Sequence, residues 1–242
     1  MIATLNKTCI ERPRTQMELR AWVDDLHRQF GETKEGKRAI RLNQGDLVKM
    51  FKEEIWPLAL FADAFYKGRT DVLFKPVIGN QSYDALVLKT SSQEVVHYLQ
   101  TTQSFDGYQN HLRMLHLEEH GRAPQTGPQL RKHLNEKHVD ETWPEAVRHD
   151  EVLQQTSKRI LAAVQRKSVM RYEPKTSLIV EFEDAHIQSA ADRDALDQFA
   201  RSELLSAASN FDTLYLVSDR ERLALRYDSM LERTVRLEKG QG

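Results

Sequence analysis

The nine residues VVHYLQTTQ, Val95 to Gln103, constrain the fold of this chain more than any other stretch. Side chains alternate along a strand, so Val96, Tyr98, Gln100 and Thr102 share one face, and Val95, His97, Leu99 and Thr101 share the other. Both faces are mostly apolar until the end. A strand of this kind needs helices over both of its sides, which places it centrally in a sheet. Its polar residues then fall at the strand end, beside a helix that starts a few residues later. Open α/β sheets place their sites at such junctions.

The flanking sequence supplies the rest of the sheet. YDALVLK (83–89) reads as a strand, and the short TSSQE link predicts an antiparallel hairpin with 95–102. DVLFKPVIG (71–79) is a further strand, which Pro76 keeps away from the centre. Helical spacing marks residues 15–30 through Leu19, Trp22, Val23, Leu26 and Phe30. Residues 31–45, charged and glycine-punctuated, read as a loop. A helix over 46–66, capped by Asp46, carries Leu47, Phe51, Ile55, Leu58, Ala62 and Phe65 on one face. Pro57 predicts either a kink there or the start of a second helix.

A helix over 105–120 has Phe105, Tyr108, Leu112 and Leu115 on its inner face, and Gly121 ends it. Residues 122–150 are polar and proline-bearing, an excursion with short helices. Helices at 151–170 and 191–211 alternate with strands at 177–184, 213–219 and 222–227. The pattern predicts an α/β fold, a mixed β-sheet of roughly five or six strands flanked by helices on both faces. Residues 1–45 read as an N-terminal helical extension, and 46–242 as the α/β domain, with a helical excursion over 122–170.

The chain has 242 residues, with 35 Lys and Arg against 36 Asp and Glu, for a net charge of −1. That balance demands neither a nucleic-acid nor a membrane partner, and leaves room for a local basic face. Cys9 is the only cysteine, so no intramolecular disulfide can form and a reducing compartment is the easiest reading. The opening MIATLNKTCIERPR lacks the apolar core of a secretory signal. No window approaches 18 consecutive apolar residues, so no membrane span is expected and a cytoplasmic location is.

The order of these elements carries a resemblance. Asp84 lies in one strand, a polar pair at i and i+2 (Gln100 and Thr102) lies in the next, and a helix follows. This resembles the PD-(D/E)XK nuclease superfamily, the restriction-endonuclease-like fold, over roughly residues 46–120 and more loosely over 177–218. In that family an Asp starts the second core strand, an acidic residue and a lysine follow at i and i+2 on the third, and a glutamate of the preceding helix often joins. Two carboxylates then hold a magnesium ion that activates water. The resemblance implies Asp84 as the strand aspartate, Gln100 at the acidic position and Thr102 at the lysine position, 16 and 18 residues further on. It implies Glu54 as the helix carboxylate, with Glu53 second.

On this reading Asp84 and Glu54 hold Mg2+, Gln100 completes the shell through its carbonyl oxygen, and Thr102 orients water. The implied partner is DNA or RNA. The chain departs from the pattern because Gln100 is neutral and Thr102 is no cation. Glu94 is an alternative acidic residue, but Val96 then stands where the lysine belongs.

Other readings stand beside this one. Asp84 can cap a turn, and the Gln-Thr-Thr-Gln run can be ordinary strand-end polarity. A catalytically silent interaction protein on the same scaffold would use the charged excursion for its contacts, with a protein partner or a second copy of itself. Arg113, His116 and His120 are placed on the outer side of the 105–120 helix, where Arg113 and His116 can meet phosphate or simply face solvent. Six histidines from His111 to His149 lie within 39 positions, and His116 and His120 stand at i, i+4 as in metal-binding helices, but without the glutamate of a His-Glu-x-x-His motif or a nearby cysteine, so the zinc signal is weak. Glu181 and Glu183 share a strand face, read as a solvent-facing edge or as extra acidity at the sheet end, where Asp184 or His186 can also approach.

Overall fold

A computed structural model describes residues 5–122, 129–131, 140–142, 148–228 and 231–238. The elements run α1 (Lys7–Ile10), α2 (Gln16–Glu32), α3 (Lys34–Arg41), α4 (Asp46–Met50), a π-turn (Phe51–Ile55), α5 (Trp56–Phe65), β1 (Val72–Pro76), β2 (Ala85–Lys89), β3 (Val95–Gln103) and α6 (Gly107–His120). There follow β4 (Gln129–Arg131), β5 (Asp140–Thr142), α7 (His149–Ser168), β6 (Thr176–Phe182), α8 (Ala190–Phe199), a second π-turn (Ala200–Leu204), α9 (Leu205–Ala207), β7 (Thr213–Ser218), β8 (Leu223–Asp228) and β9 (Leu231–Glu238).

The main sheet has the order β1-β2-β3-β6-β7-β8-β9, with β9 added at one edge to six strands that lie between residues 72 and 228. The strands β3, β6 and β7 run parallel, and every other pairing is antiparallel. The α/β class and the mixed sheet therefore agree with the sequence reading. So do the β2–β3 hairpin and the edge position of β1, where Pro76 pairs with Ala85 of β2 on one side only.

Two apolar layers cover the sheet. On one face Leu19, Val23 and Phe30 of α2 and Ile55, Leu58 and Phe61 around α5 pack on Ala85, Val87, Leu99, Ile179 and Tyr215. On the other, Ile160 and Val164 of α7 and Leu196 of α8 pack on Leu178, Val180, Phe182, Leu214 and Leu216. Every residue of β6 and β7 is buried. Ile10 and the α2 residues thus share one core with the helices and strands that follow residue 45.

The local starts and stops have identifiable causes. Thr15 and Glu18 form a reciprocal capping box at the head of α2. Thr15→Ala is expected to cost about 1 kcal/mol in a denaturant titration, with the midpoint lowered and the slope unchanged. The expected loop at 31–45 instead contains α3. Thr33 caps it, accepting from the Gly36 amide at 2.9 Å. Gly36 is no breaker: a Cβ there would meet the Phe30 carbonyl oxygen at 2.5 Å, so glycine allows α3 to fold tightly against the end of α2.

Pro57 opens α5, and the π-turn Phe51–Ile55 immediately precedes it. The wider turn absorbs the ring that cannot sit in a regular helix interior. Asp106 caps α6, accepting from the Gln109 amide at 2.9 Å, and Gly121 ends the helix at φ 69°. Tyr108, expected on the inner face of α6, is 61% exposed. Within the excursion, β4 and β5 pair as a small antiparallel ladder. The short helices expected there, and His133 and His138, otherwise lie outside the described residues. The segment 231–238, with no strand expected, forms β9.

Candidate functional site

The carboxyl end of β3 opens into a cavity of about 460 Å3, walled by the π-turn, the end of α3, the first turns of α6 and the end of α7. Thr101, Thr102 and Gln103 form its floor. Register divides them. Gln100 and Thr102 lie beside Leu178 and Val180, on the α7 side, whereas Thr101 and Gln103 lie beside Ile179 and Glu181, on the α5 side.

Asp84 sits one residue before β2 and lines this cavity. Its Oδ2 accepts from the Thr101 amide at 2.7 Å, from Thr101 Oγ1 at 2.9 Å and from Gln100 Nε2. The carboxylate thereby replaces the backbone partner that Thr101 would find if β2 extended one pair further. All three donors use Oδ2, and Oδ1 accepts from none of the described residues. Burial raises the Asp84 pKa, while Lys167 and the three donors pull it down.

Glu54 lines the same cavity from the π-turn. Burial, and then the charge of Asp84, push its carboxyl up to about 7, with Lys167 opposing. Two carboxylates that raise each other's cost of ionisation, with a lysine acting on both, define an electrostatically coupled set. Glu53 also lines the cavity, where it accepts from Asn43 Nδ2 at 3.1 Å.

Gln100 is buried and does not line the cavity. Its amide nitrogen serves Asp84 and the Thr101 carbonyl, so it holds Asp84 rather than facing a ligand. Thr102 does line the cavity, and its Oγ1 accepts from Arg166 Nη2 at 2.9 Å. The alternative residue Glu94 pairs with Lys89 at 2.7 Å on the exposed hairpin and lies outside the cavity.

On α6 the placement differs from the sequence reading. His116 is 4% exposed, with Nδ1 2.9 Å from the Arg122 carbonyl oxygen and its ring tilted 50° against that of His120, centroids 4.3 Å apart. The inward face of the helix runs through Leu112 and His116, so His116 is not on the outer side. Arg113 is half-buried and does not line the cavity, whereas Asn110 and His111 do.

Sequence reasoning missed the cations and one carboxyl. Arg166 and Lys167, in the last turn of α7, line the cavity, as do Lys52 and Arg41. A helix tail is a favourable place for cations, but no local pattern tells which strand end that tail will reach. Glu181, for which a solvent-facing edge and extra acidity at the sheet end both stood open, is 2% exposed beneath the floor. Gln103 Nε2 donates to it at 2.6 Å and to the Lys52 carbonyl oxygen at 3.2 Å. Gln103 therefore ties the π-turn to β6. Its residual signal was the polar pair itself: Gln103 and Glu181 are register partners, but register is not local information.

Among the described residues, no three His, Cys, Asp or Glu side chains converge as metal ligands. Asp84 and Glu54 form a two-carboxylate set of hard oxygen donors, and neutral oxygens of β3 lie beside them. Magnesium takes such sparse protein shells and keeps water for the remaining positions. Comparison of the chain with protein-family models, with curated proteins and with solved structures gave no match. No helix among the described residues is long and apolar enough to cross a membrane.

Proposed function

We propose that this is a diverged protein of the restriction-endonuclease-like fold whose cleft hydrolyses phosphodiester bonds of nucleic acid with Mg2+. The observation that carries the reading is that Asp84 and Glu54 line one cleft, where burial first and the charge of Asp84 second push Glu54 up to about 7. A divalent cation relieves that repulsion, and Asp84 Oδ1 and the Glu54 carboxylate would hold it. When bound, magnesium supplies a Lewis acid for a phosphoryl oxygen and a more acidic water.

The chain's own residues have assignable parts. Gln100 and Thr101 fix the Asp84 carboxylate by three hydrogen bonds to Oδ2. Lys167 and Arg166 bring to the cleft the positive charge that β3 lacks, where it can meet a phosphate. Thr102, accepting from Arg166, keeps its own O–H to donate to a water.

The test is incubation of single- and double-stranded DNA and RNA with the protein, with magnesium and with a chelator. Cleavage that needs magnesium, and that falls about tenfold or more in Lys167→Ala, is the expected outcome. No cleavage of any of the four would remove the enzymatic reading. The uncharged pair Gln100 and Thr102 favours a second reading, a binding or regulatory protein on the same scaffold. It would bind nucleic acid or a protein partner in that assay's conditions without cleaving. Its expected contact region, 122–150, lies largely outside the described residues.

A further inference from the structure

We propose that the turn after α7 is a second nucleic-acid contact, in which Met170 and Val169 pack against a base next to the phosphate held in the cleft; this rests on the nucleic-acid reading above. Val169 is 85% exposed and Met170 50%. Two of the four large apolar side chains left in solvent among the described residues are thus neighbours in the chain.

The turn that presents them is fixed on several sides. Ser168 Oγ reaches the Val164 and Ala207 carbonyl oxygens at 2.9 and 2.5 Å. Asn210 Nδ2 donates to the Ser168 carbonyl. The Tyr172 hydroxyl donates to the Lys167 carbonyl at 2.8 Å, and its ring lies against Phe211, centroids 4.7 Å apart. The exposure of the pair is therefore not that of a frayed helix end.

Helical geometry sets Met170 above the rim of the cleft. Its amide donates to the Lys167 carbonyl at 3.2 Å, so the chain still turns as a helix there. Met170 stands three residues beyond Lys167 and four beyond Arg166, which puts it on their side of the turn, and both cations line the cavity. Val169, three beyond Arg166, extends the apolar surface outward.

The surrounding charge selects the partner. Arg166, Lys167 and Arg171 flank the pair, and none of them makes an ion pair among the described residues. Arg166 donates only to Thr102 Oγ1 and the Gln103 carbonyl. An apolar tip among uncompensated cations matches a polyanion with apolar faces inside it. In nucleic acid, phosphates meet the Lys and Arg side chains while aliphatic side chains pack on bases. An anionic membrane offers the same two properties, but its flat surface does not enter the recess that Arg166 and Lys167 line.

The experiment is fluorescence anisotropy of labelled single-stranded DNA and RNA oligonucleotides, in chelator so that no cleavage intervenes, beside sedimentation with vesicles containing phosphatidylserine. The double variant Val169→Ser, Met170→Ser is expected to bind the oligonucleotides about tenfold more weakly, with the salt dependence unchanged because the phosphate contacts remain. Met17→Ser, at an exposed methionine of α2 outside the cavity, is expected to bind as the wild type does. Circular dichroism verifies that both variants are folded. Unchanged affinity in the double variant, or an equal fall in Met17→Ser, overturns the inference and leaves the nucleic-acid reading in place. Vesicle binding that the double variant loses while its oligonucleotide binding persists overturns it in favour of a lipid surface. Binding of neither oligonucleotide by the wild type overturns the inference and the nucleic-acid reading together.

Discussion

Glu54→Gln is expected to lower magnesium-dependent cleavage by at least about 100-fold, because loss of groups that merely support metal ligands already costs about 10–100-fold. The same variant is expected to be as stable as the wild type at pH 8, or more so. Glu54 makes no hydrogen bond among the described residues, and its charge there opposes both burial and Asp84. The amide keeps the shape and removes the charge. Asp84→Ala gives the contrasting result. It abolishes cleavage too, but it strands the Thr101 amide and the Thr101 hydroxyl, each of which accounts for about 1–3 kcal/mol when left unsatisfied in the interior, and leaves Gln100 Nε2 only the Thr101 carbonyl. Asp84 alone therefore confounds strand capping with chemistry. Cleavage rates and denaturant midpoints, measured on both variants, separate them.

Ionisation of Glu181 is expected to cost the metal-free protein stability as pH rises from about 4.5 toward 8, against an opposite contribution from His27, His97 and His186, whose pKa burial lowers. Burial pushes the Glu181 carboxyl up to about 8, opposed by the hydrogen bond from Gln103. A carboxyl whose native pKa exceeds its unfolded value binds its proton more tightly when folded. Its contribution is complete below the unfolded value near 4.5 and is lost as pH climbs through the native value. Glu54 adds to the same trend and finishes near 7. Glu181→Gln is expected to flatten the profile and to gain on the order of 3 kcal/mol at pH 9, read from urea titrations across the range. The variant keeps an acceptor for Gln103, so the tie between π-turn and floor survives. A profile equally steep in Glu181→Gln would show that ionisation of this group is not what the alkaline loss measures.

How far the sequence reached can be judged residue by residue. The double-sided apolar character of β3 was local information, and it placed the strand under two layers of helices. Pro76 and the short 90–94 link likewise fixed the edge strand and the hairpin. Asp84, Glu54 and Thr102 were named through the family resemblance, and all three line the cavity at the end of β3.

What escaped depends on long-range packing. Gly36 looked like a breaker because its tight approach to Phe30 is invisible in a single stretch. Glu181 stood open between a solvent-facing edge and the sheet end because alternation gives a face but not what covers it. Here α5 and its π-turn cover that face. His116 was placed outside because the polar residues of α6 do not separate cleanly by side. Gln100 was assigned to the ligand shell, and the register turns it to Asp84, a pairing that the 16-residue spacing alone did not distinguish.

The most direct test of the central claim, that Asp84 and Glu54 together form a magnesium site, is thermal unfolding at pH 8 with and without millimolar magnesium. A ligand that binds only the folded state raises the midpoint. The expected result is a clear rise in the wild type that disappears in Glu54→Gln. An unchanged midpoint in the wild type, or the same rise in Glu54→Gln, would contradict the claim.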